Sequence, residues 1–435
     1  MRLLAHVTTA SLIVLTLGGC TDKQLPTSMP VGGRTDAAAP PPGGGTQPPR
    51  PPIQFPKADP NDIVEITAGD FHTCARRYDF TVFCWGADAN GQAGRWSYTK
   101  CSGVACVNRP TILTTISPLG ASVNVQARMI DAGGNHTCML DPASDAYCWG
   151  DGTSGQLGFA ASTYGSRYGA TMVTGGVKFS FISAGGQSTC GSGASGIFCW
   201  GAIANSAASP TSVTGYNTAV QLSVGAEHAC IIDGSNAGIV SCWGDNQYGQ
   251  LSQNPATLPS ALPGTSLTTF YYSRRVTTQQ FFTCVERADG QAECAGHNSS
   301  GQLGYGVTGP PVSPGQPQIV GSGKQLHGVT AGYASACALD VSDMAWCWGN
   351  GDMGQIGNGS MGQFAVFNTP QAVTGGRTYR AIAAGGHHTC AIGTDNHIYC
   401  WGDNSVGQLG TGTSGGWATT PVQALDAILV IDPFV

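Results

Sequence analysis

Charge is scarce in this chain of 435 residues, where only 10% of positions are Asp, Glu, Lys or Arg. The 19 basic and 25 acidic side chains leave a formal charge of −6, and no basic run occurs. Nucleic-acid binding draws its affinity from clustered Lys and Arg on phosphates, so no nucleic-acid role is expected. Close C-x-x-C pairs, the usual form of a cysteine–zinc site, are also missing. So are the catalytic signatures G-x-S-x-G and H-E-x-x-H. The carboxylates are scattered over turns, and no acid–base pair stands out among them. No cofactor and no metal is therefore expected, and no catalytic residue is assigned. What abounds is glycine, at 64 positions, with 25 prolines and 17 cysteines. Such a chain is built from turns.

The turns recur. A unit reading roughly A-G-x-x-H-T-C, a short spacer, then C-W-G-D-N-x-x-G-Q-L-G is clearest from Ala384 to Gly410. Seven copies are anchored by cysteine pairs: Cys74 and Cys84, Cys138 and Cys148, Cys190 and Cys199, Cys230 and Cys242, Cys284 and Cys294, Cys337 and Cys347, Cys390 and Cys400. The first cysteines repeat every 53 residues or so. A period of about 50 built from short β segments means a propeller or an array.

Within a unit, β-favouring residues such as Thr81-Val82-Phe83 and His397-Ile398-Tyr399 precede the second cysteine. Turn formers such as Asp141-Pro142-Ala143-Ser144-Asp145 fill the spacer. Strand, turn and strand make a hairpin. Opposed positions on paired strands lie close enough for a disulfide. Fourteen cysteines make seven such pairs, Cys101 and Cys106 make an eighth, and Cys20 is left over. Regular spacing and an even remainder argue for a disulfide framework in an oxidising compartment.

Cys20 belongs to the first segment. Met1-Arg2, the apolar run Leu3 to Leu17 and then Leu17-Gly18-Gly19-Cys20 read as a secretory signal over residues 1–19. The run is too short to span a bilayer comfortably. Its ending resembles the bacterial lipoprotein box, which implies lipidation of Cys20. Thr21 after the cysteine implies, by the same resemblance, the outer membrane of a bacterial cell envelope, facing the periplasm or the cell surface. The lipid would then be the sole membrane contact. Residues 20–61, with Pro40-Pro41-Pro42 and Gly43-Gly44-Gly45, read as a disordered Pro/Gly-rich tether. Residues 62–435 are the folded part. They are too many for one ordinary core, which a ring of small cores resolves.

The A-G-x-x-H and W-G-x-N-x-x-G-Q-L-G elements resemble the repeat of the regulator of chromosome condensation family. Trp-Gly survives in six copies: Trp85-Gly86, Trp149-Gly150, Trp200-Gly201, Trp243-Gly244, Trp348-Gly349 and Trp401-Gly402. The resemblance covers nearly all of residues 62–425. It implies an all-β fold, a seven-bladed β-propeller of four-stranded blades with a disulfide in each blade hairpin. The cysteine pair resembles an addition found in secreted bacterial relatives. The family's founder is an exchange factor for a small GTPase and binds nucleosomes. An exported chain meets neither, so no small GTPase is expected as a partner.

The repeated residues read as structure. His72, His136, His228 and His388 share one position, where blades 3, 5 and 6 carry Ser188, Phe282 and Ser335. The expected role is a turn-stabilising hydrogen bond inside each blade. The tryptophans are expected to pack between blades. Asp403-Asn404 and Asp245-Asn246 supply too few oxygens for a calcium loop. The ring must also close. The apolar runs Ala427-Ile428-Leu429-Val430-Ile431 and Ile63-Val64-Glu65-Ile66 are expected in or beside one blade.

Departures from the repeat point to binding. Repeat 5 has Ala295 in place of Trp and is preceded by Tyr271, Tyr272, Arg274 and Arg275. An insertion after repeat 1 carries Trp96, Tyr98, Lys100 and the loop between Cys101 and Cys106. Aromatics beside basic groups are enriched at binding hot spots, and a disulfide pre-organises a loop tip. These seven residues are the candidate partner-binding set. A plainer reading makes Tyr271–Arg275 an edge strand with alternate side chains buried between blades. The function expected is a non-catalytic binding or scaffold module for an envelope or extracellular protein or glycan. Alternatives are an enzyme on a surface polymer, and an inhibitor or regulator of a secreted enzyme.

Overall fold

The computed structural model describes residues 59–428 apart from 96, 98, 117–121, 160–164, 205–206, 217–218, 234–237, 257–259, 262–267, 271 and 310–314. The signal segment, Cys20 and nearly all of the tether lie outside the described residues, as do Trp96, Tyr98 and Tyr271.

Each repeat folds into one antiparallel sheet, and seven sheets form the ring. Blade 7 shows the logic. Tyr379–Ala384 is its first strand, and His388–Gly393 carries the H-T-C element. Ile398–Asp403 carries C-W-G, and Trp417–Gln423 is the outer strand. Cys390 stands directly opposite Cys400 in this register, and their Cα atoms are 4.1 Å apart.

The other six blades repeat the pairing. Cys74 is bonded to Cys84, Cys138 to Cys148, and Cys190 to Cys199. Cys230 is bonded to Cys242, Cys284 to Cys294, and Cys337 to Cys347. In each case the two cysteines face each other across paired strands. Cys101 and Cys106 are also joined, in the insertion of blade 1. The expected hairpin disulfides are therefore all present. The glycine after each tryptophan permits a sharp exit from the strand. Gly402 has φ +102°, and a Cβ there would meet the His387 carbonyl oxygen at 2.4 Å.

The blades are contiguous in sequence, and the two ends of the ring meet at blade 1. Its sheet runs from Ile63–Ala68 out to Val104–Ile112, with Lys100–Cys101 added beyond. Ile428 forms a parallel bridge to Thr111 on the outer side of that sheet. Ile112 N–H donates to the Ile428 carbonyl at 2.9 Å, and Ile428 N–H donates to Pro110 O at 3.1 Å. Ile63 to Ile66 and Ile428 thus belong to one blade, as the closure argument expects. Residues 429–431 of that run lie outside the described residues.

The core is a set of seams. Each of the six repeat tryptophans is buried. Trp85, Trp149, Trp200, Trp348 and Trp401 donate their indole N–H to the carbonyl of Gln408, Gln92, Gln156, Gln302 and Gln355, each in the preceding blade. The tryptophans therefore join blades, as expected. The histidines do so too, which corrects the expectation of a bond within each blade. His72, His136 and His228 meet Thr137, Thr189 and Thr283 of the next blade at 2.8 Å. His388 meets Thr73 at 2.7 Å and so ties blade 7 to blade 1. The reason is reach. The histidine begins the second strand, where the imidazole projects across the seam, while its own turn is held by backbone bonds such as Gly385 N–H to His388 O.

A second ring of bonds lies on the first strands. Thr67, Asp131, Ser183, Ser223, Thr277 and Thr330 each accept a backbone N–H from the next blade, at Ala132, Ala184, Val224, Thr278, Ala331 and Ala384. Ala383 holds this position in blade 7, so the closing seam lacks the contact. There Ile63 N–H donates instead to Asn396 Oδ1 at 2.9 Å. Arg380 donates to Ile63 O and to Asn396 Oδ1.

Candidate functional site

The first strand of every blade faces the ring axis, and together they enclose a central cavity of about 1300 Å³. Alternation along a strand would send neighbouring side chains to opposite faces. A register shift between Ser273 and Arg275 breaks that alternation in blade 5. Such a bulge bends the strand and re-aims a side chain. Arg274 and Arg275 consequently both line the cavity and are both exposed to it. The strand is the innermost of its sheet, an edge strand as the plainer reading has it, but its two arginines do not alternate. The same shift recurs between Ile63 and Glu65, Ala219 and Gln221, and Tyr379 and Ala381. Arg380 is the bulged residue of blade 7 and also lines the cavity.

Acidic groups balance these cations. Glu65 pairs with Arg76 at 2.7 Å and accepts Ile130 N–H at 3.3 Å. Burial raises its carboxyl pKa, against the pull of the Arg76 guanidinium. Asp131 accepts from Thr67 Oγ1 at 3.0 Å and Ala184 N–H at 2.9 Å. Burial raises its pKa as well, while hydrogen bonds from Ala184, Ser183 and Thr67 oppose the shift. Arg275 has its guanidinium pKa lowered by desolvation, with Glu286 and Asp131 acting the other way. Glu286 is held by Gly328 N–H at 2.9 Å. His327 and Asp343 pair at 3.2 Å in the same wall. Arg274 and Arg275 form no ion pair with a described residue. They are the cations of this wall best placed to receive an anionic group.

The candidate set is therefore divided. Arg274 and Arg275 face the lumen. Tyr272 is 70% exposed just ahead of the same strand, with φ +55°. Lys100 is exposed at the far edge of blade 1, on the outer rim of the ring. The lumen and the rim are separate surfaces, so no single site holds all the candidates. Sequence reasoning missed Glu65, Asp131 and Arg380. Their signal is a position, the stretch just ahead of each A-G pair, which reads as variable until the first strands are placed around an axis. Among the described residues no group of three or more His, Cys, Asp or Glu is placed to hold a metal.

A closed ring of seven antiparallel sheets with a charged axial cavity is a β-propeller. Models of the regulator of chromosome condensation (RCC1) repeat match residues 63–92, 130–156, 219–250 and 379–408. A further model of the repeat matches 342–392. The fold is thus an RCC1-like propeller, and propellers of this kind are commonly binding or regulatory modules. E3 ubiquitin-protein ligase HERC2 of Homo sapiens is 23% identical over 356 residues, 81% of this chain and 5% of that protein. Ultraviolet-B receptor UVR8 of Arabidopsis thaliana is 32% identical over 149 residues, 34% of this chain and 33% of that protein. The chain thus spans only a small part of the curated relatives it matches first. Among solved structures, yeast RCC1 (Prp20) bound to Kap60 superposes with a TM-score of 0.65 at 18% identity, over 88% of this chain and 91% of that one. Human WBSCR16 superposes with a TM-score of 0.62 at 17% identity, over 82% and 94%. At such identities the structures speak to the fold alone.

Proposed function

We propose that this chain is exported, carries a lipid on Cys20, and serves the bacterial outer membrane as a non-catalytic binding module for an envelope or extracellular protein or glycan. The observation that carries the reading is the charged lumen, where Arg274 and Arg275 line the wall and form no ion pair with a described residue, although Glu286 and Asp131 lie near Arg275. Rigid walls bind with little entropy lost to ordering. Export is supported by the cysteines, since all sixteen in the ring are joined in pairs. Structural disulfides of this density belong to oxidising compartments. The anchor is supported by Leu17-Gly18-Gly19-Cys20, and a Pro/Gly-rich stretch after it suits a spacer between lipid and ring.

Two experiments test this. Cells grown with labelled palmitate should label the full chain and not the Cys20→Ser variant; equal labelling refutes the anchor. Full-length chain bearing Arg274→Ala and Arg275→Ala should lose the envelope component that the unaltered chain captures. Capture that survives both substitutions removes the lumen from the reading.

A further inference from the structure

The two residues between glycine and histidine of each A-G-x-x-H element lie beyond the cavity-lining strands, on one face of the ring. There the backbone loops of neighbouring blades touch. Asp70 N–H donates to Gly134 O, Gly134 N–H to Gly185 O, Gly186 N–H to Gly225 O, and Gly386 N–H to Gly69 O. The side chains mounted on this belt are unevenly distributed. Blades 2, 3 and 4 present Asn135, Gln187 and Glu227. Blades 5, 6, 7 and 1 present Phe281, Tyr333, His387 and Phe71, with the Asp70 carboxyl of blade 1 near His387. Tyr248 and His297 extend the aromatic sector from the adjoining loops.

These rings form two groups. Tyr248 packs against Phe281 at 5.2 Å and edge-on against His297 at 4.7 Å between centroids. Tyr333 stacks on His387 at 6.0 Å, and His387 reaches Phe71 at 6.4 Å. Tyr248, Phe281, His297, Tyr333 and His387 line a groove of about 230 Å³, and Phe71 lies just outside it. Tyr248 is 41% exposed and Tyr333 44% exposed, so each offers much of its ring to solvent. The other lining residues are Ala334 and the uncharged polar Ser299, Ser300, Gln302 and Asn350. The hydroxyls of Ser299 and Ser300 and the amide nitrogen of Asn350 make no hydrogen bond to a described residue. His297 Nδ1 accepts from Gln302 Nε2 at 3.0 Å, because the amide nitrogen can only donate. The remaining ring nitrogen, Nε2, therefore carries the proton. Burial lowers the His297 pKa, which keeps the ring neutral.

We propose that this groove binds a short segment of a neutral oligosaccharide. The proposal rests on the binding-module reading and adds to it a second site, apart from the lumen arginines, with its own ligand class. A sugar ring presents slightly positive C–H bonds on its faces and hydroxyls around its rim. The faces suit the negative π surfaces of Tyr248 and Tyr333. The rim suits free hydroxyl, amide and imidazole N–H groups, which between them donate and accept. No Asp, Glu, Lys or Arg lines the groove, so a charged ligand would lose hydration without gaining a counter-ion. The groove is small beside the roughly 300–1,000 Å³ of sites that engulf drug-sized ligands. It therefore grips one part of a longer chain, and the aromatic strip across four blades supplies the continuation. A protein partner would favour a broader apolar patch with a polar rim.

The test uses full-length chain on an array of neutral and anionic oligosaccharides, followed by calorimetric titration with the best neutral hit. Tyr248→Ala and Tyr333→Ala should each weaken binding about tenfold or more, since stacking is lost at an exposed ring. Tyr248→Phe should bind nearly as the unaltered chain does, and the thermal melt should not move. Binding to anionic sugars alone, or neutral binding unaffected by either alanine, overturns the proposal. So does a protein from envelope extract whose capture fails in the same variants. If no sugar binds but a protein is still captured elsewhere, the saccharide site falls and the binding-module reading stands. If neither is found, both fall.

Discussion

Acid should loosen the ring through its four buried histidines. The seam between blades 2 and 3 shows why. Thr189 donates its hydroxyl proton to Gln156 O at 2.9 Å and faces His136 Nε2 at 2.8 Å. That single proton is committed to the carbonyl, so Thr189 accepts from the imidazole. The imidazole therefore carries a proton on Nε2, and burial favours its neutral form. Burial lowers the pKa to about 4 at His136 and His388 and to about 3 at His72 and His228. In the unfolded chain each titrates near 6.5. Between those values the unfolded state binds protons that the native state refuses, so stability is intact above pH 6.5 and falls as pH falls. One histidine contributes a slope of at most about 1.4 kcal/mol per pH unit, and four together at most about 5.5 kcal/mol per unit. Buried carboxyls with raised pKa, such as Glu65 and Asp131, act in the opposite sense and offset part of this. A difference between two variants removes that complication. His136→Gln keeps an amide N–H for Thr189 but cannot titrate. Guanidinium unfolding at several pH values between 4.5 and 6 should give a slope shallower by about 1.4 kcal/mol per unit. An unchanged slope would refute the neutral-histidine seam.

The glycine belt should not tolerate a methyl group. A Cβ at Gly133 would stand 2.2 Å from Gly185 O, so Gly133→Ala must push blades 2 and 3 apart. A cost of about 3 kcal/mol or more is expected, and an unmoved melt would count against the belt. Asp88 carries the inverse pH signature. Burial pushes its carboxyl up to about 8, and backbone N–H groups such as that of Ala93, 3.0 Å from Oδ1, only partly oppose the shift. The fold retains this proton while the unfolded chain sheds it near pH 4, so the contribution of Asp88 to stability declines as pH rises from 4 to 8. Asp88→Asn should abolish that decline, and its advantage should widen by on the order of 1–4 kcal/mol between pH 5 and 8. Tm difference curves that stay parallel would sink this reading. Non-reducing peptide mapping should recover the eight pairs and no bond between repeats.

Much of the architecture was legible because its determinants are local. The cysteine pair, the turn formers between and the β-favouring residues beside it lie within a dozen positions, and they specify a hairpin without outside help. Even the twelve-residue separation of Cys230 and Cys242 is absorbed at the hairpin tip, leaving the two strands in register. The tryptophans were legible because a large ring must find a seam. The histidine bond was not, since its partner threonine lies 53–65 residues along or across the closure. The H-T pair is visible in three of the copies, but nothing in one copy says that its two members serve different blades. Arg274 and Arg275 were singled out as a departure from the repeat, and they line the lumen. Their common direction was hidden, because alternation sends neighbours apart and a bulge has no signature in these residue types. The aromatic sector escaped for another reason. Phe71, Phe281 and His387 occupy the position just before the histidine site and Tyr333 the one before that, both of which vary freely, and variation looks like noise until neighbouring blades are seen side by side.

The placement of the disulfides has a consequence for how the chain matures. Sixteen cysteines admit an enormous number of pairings, when even eight admit 105. Here every bond joins partners between 5 and 12 residues apart, and none crosses a seam. Short loops close in about 10–100 ns, long before distant thiols meet. A hairpin can therefore be cross-linked as soon as it has formed, whether or not its neighbours exist. The correct pairing is also the nearest pairing, so maturation calls for an oxidant and makes little demand on an isomerase to repair mistakes.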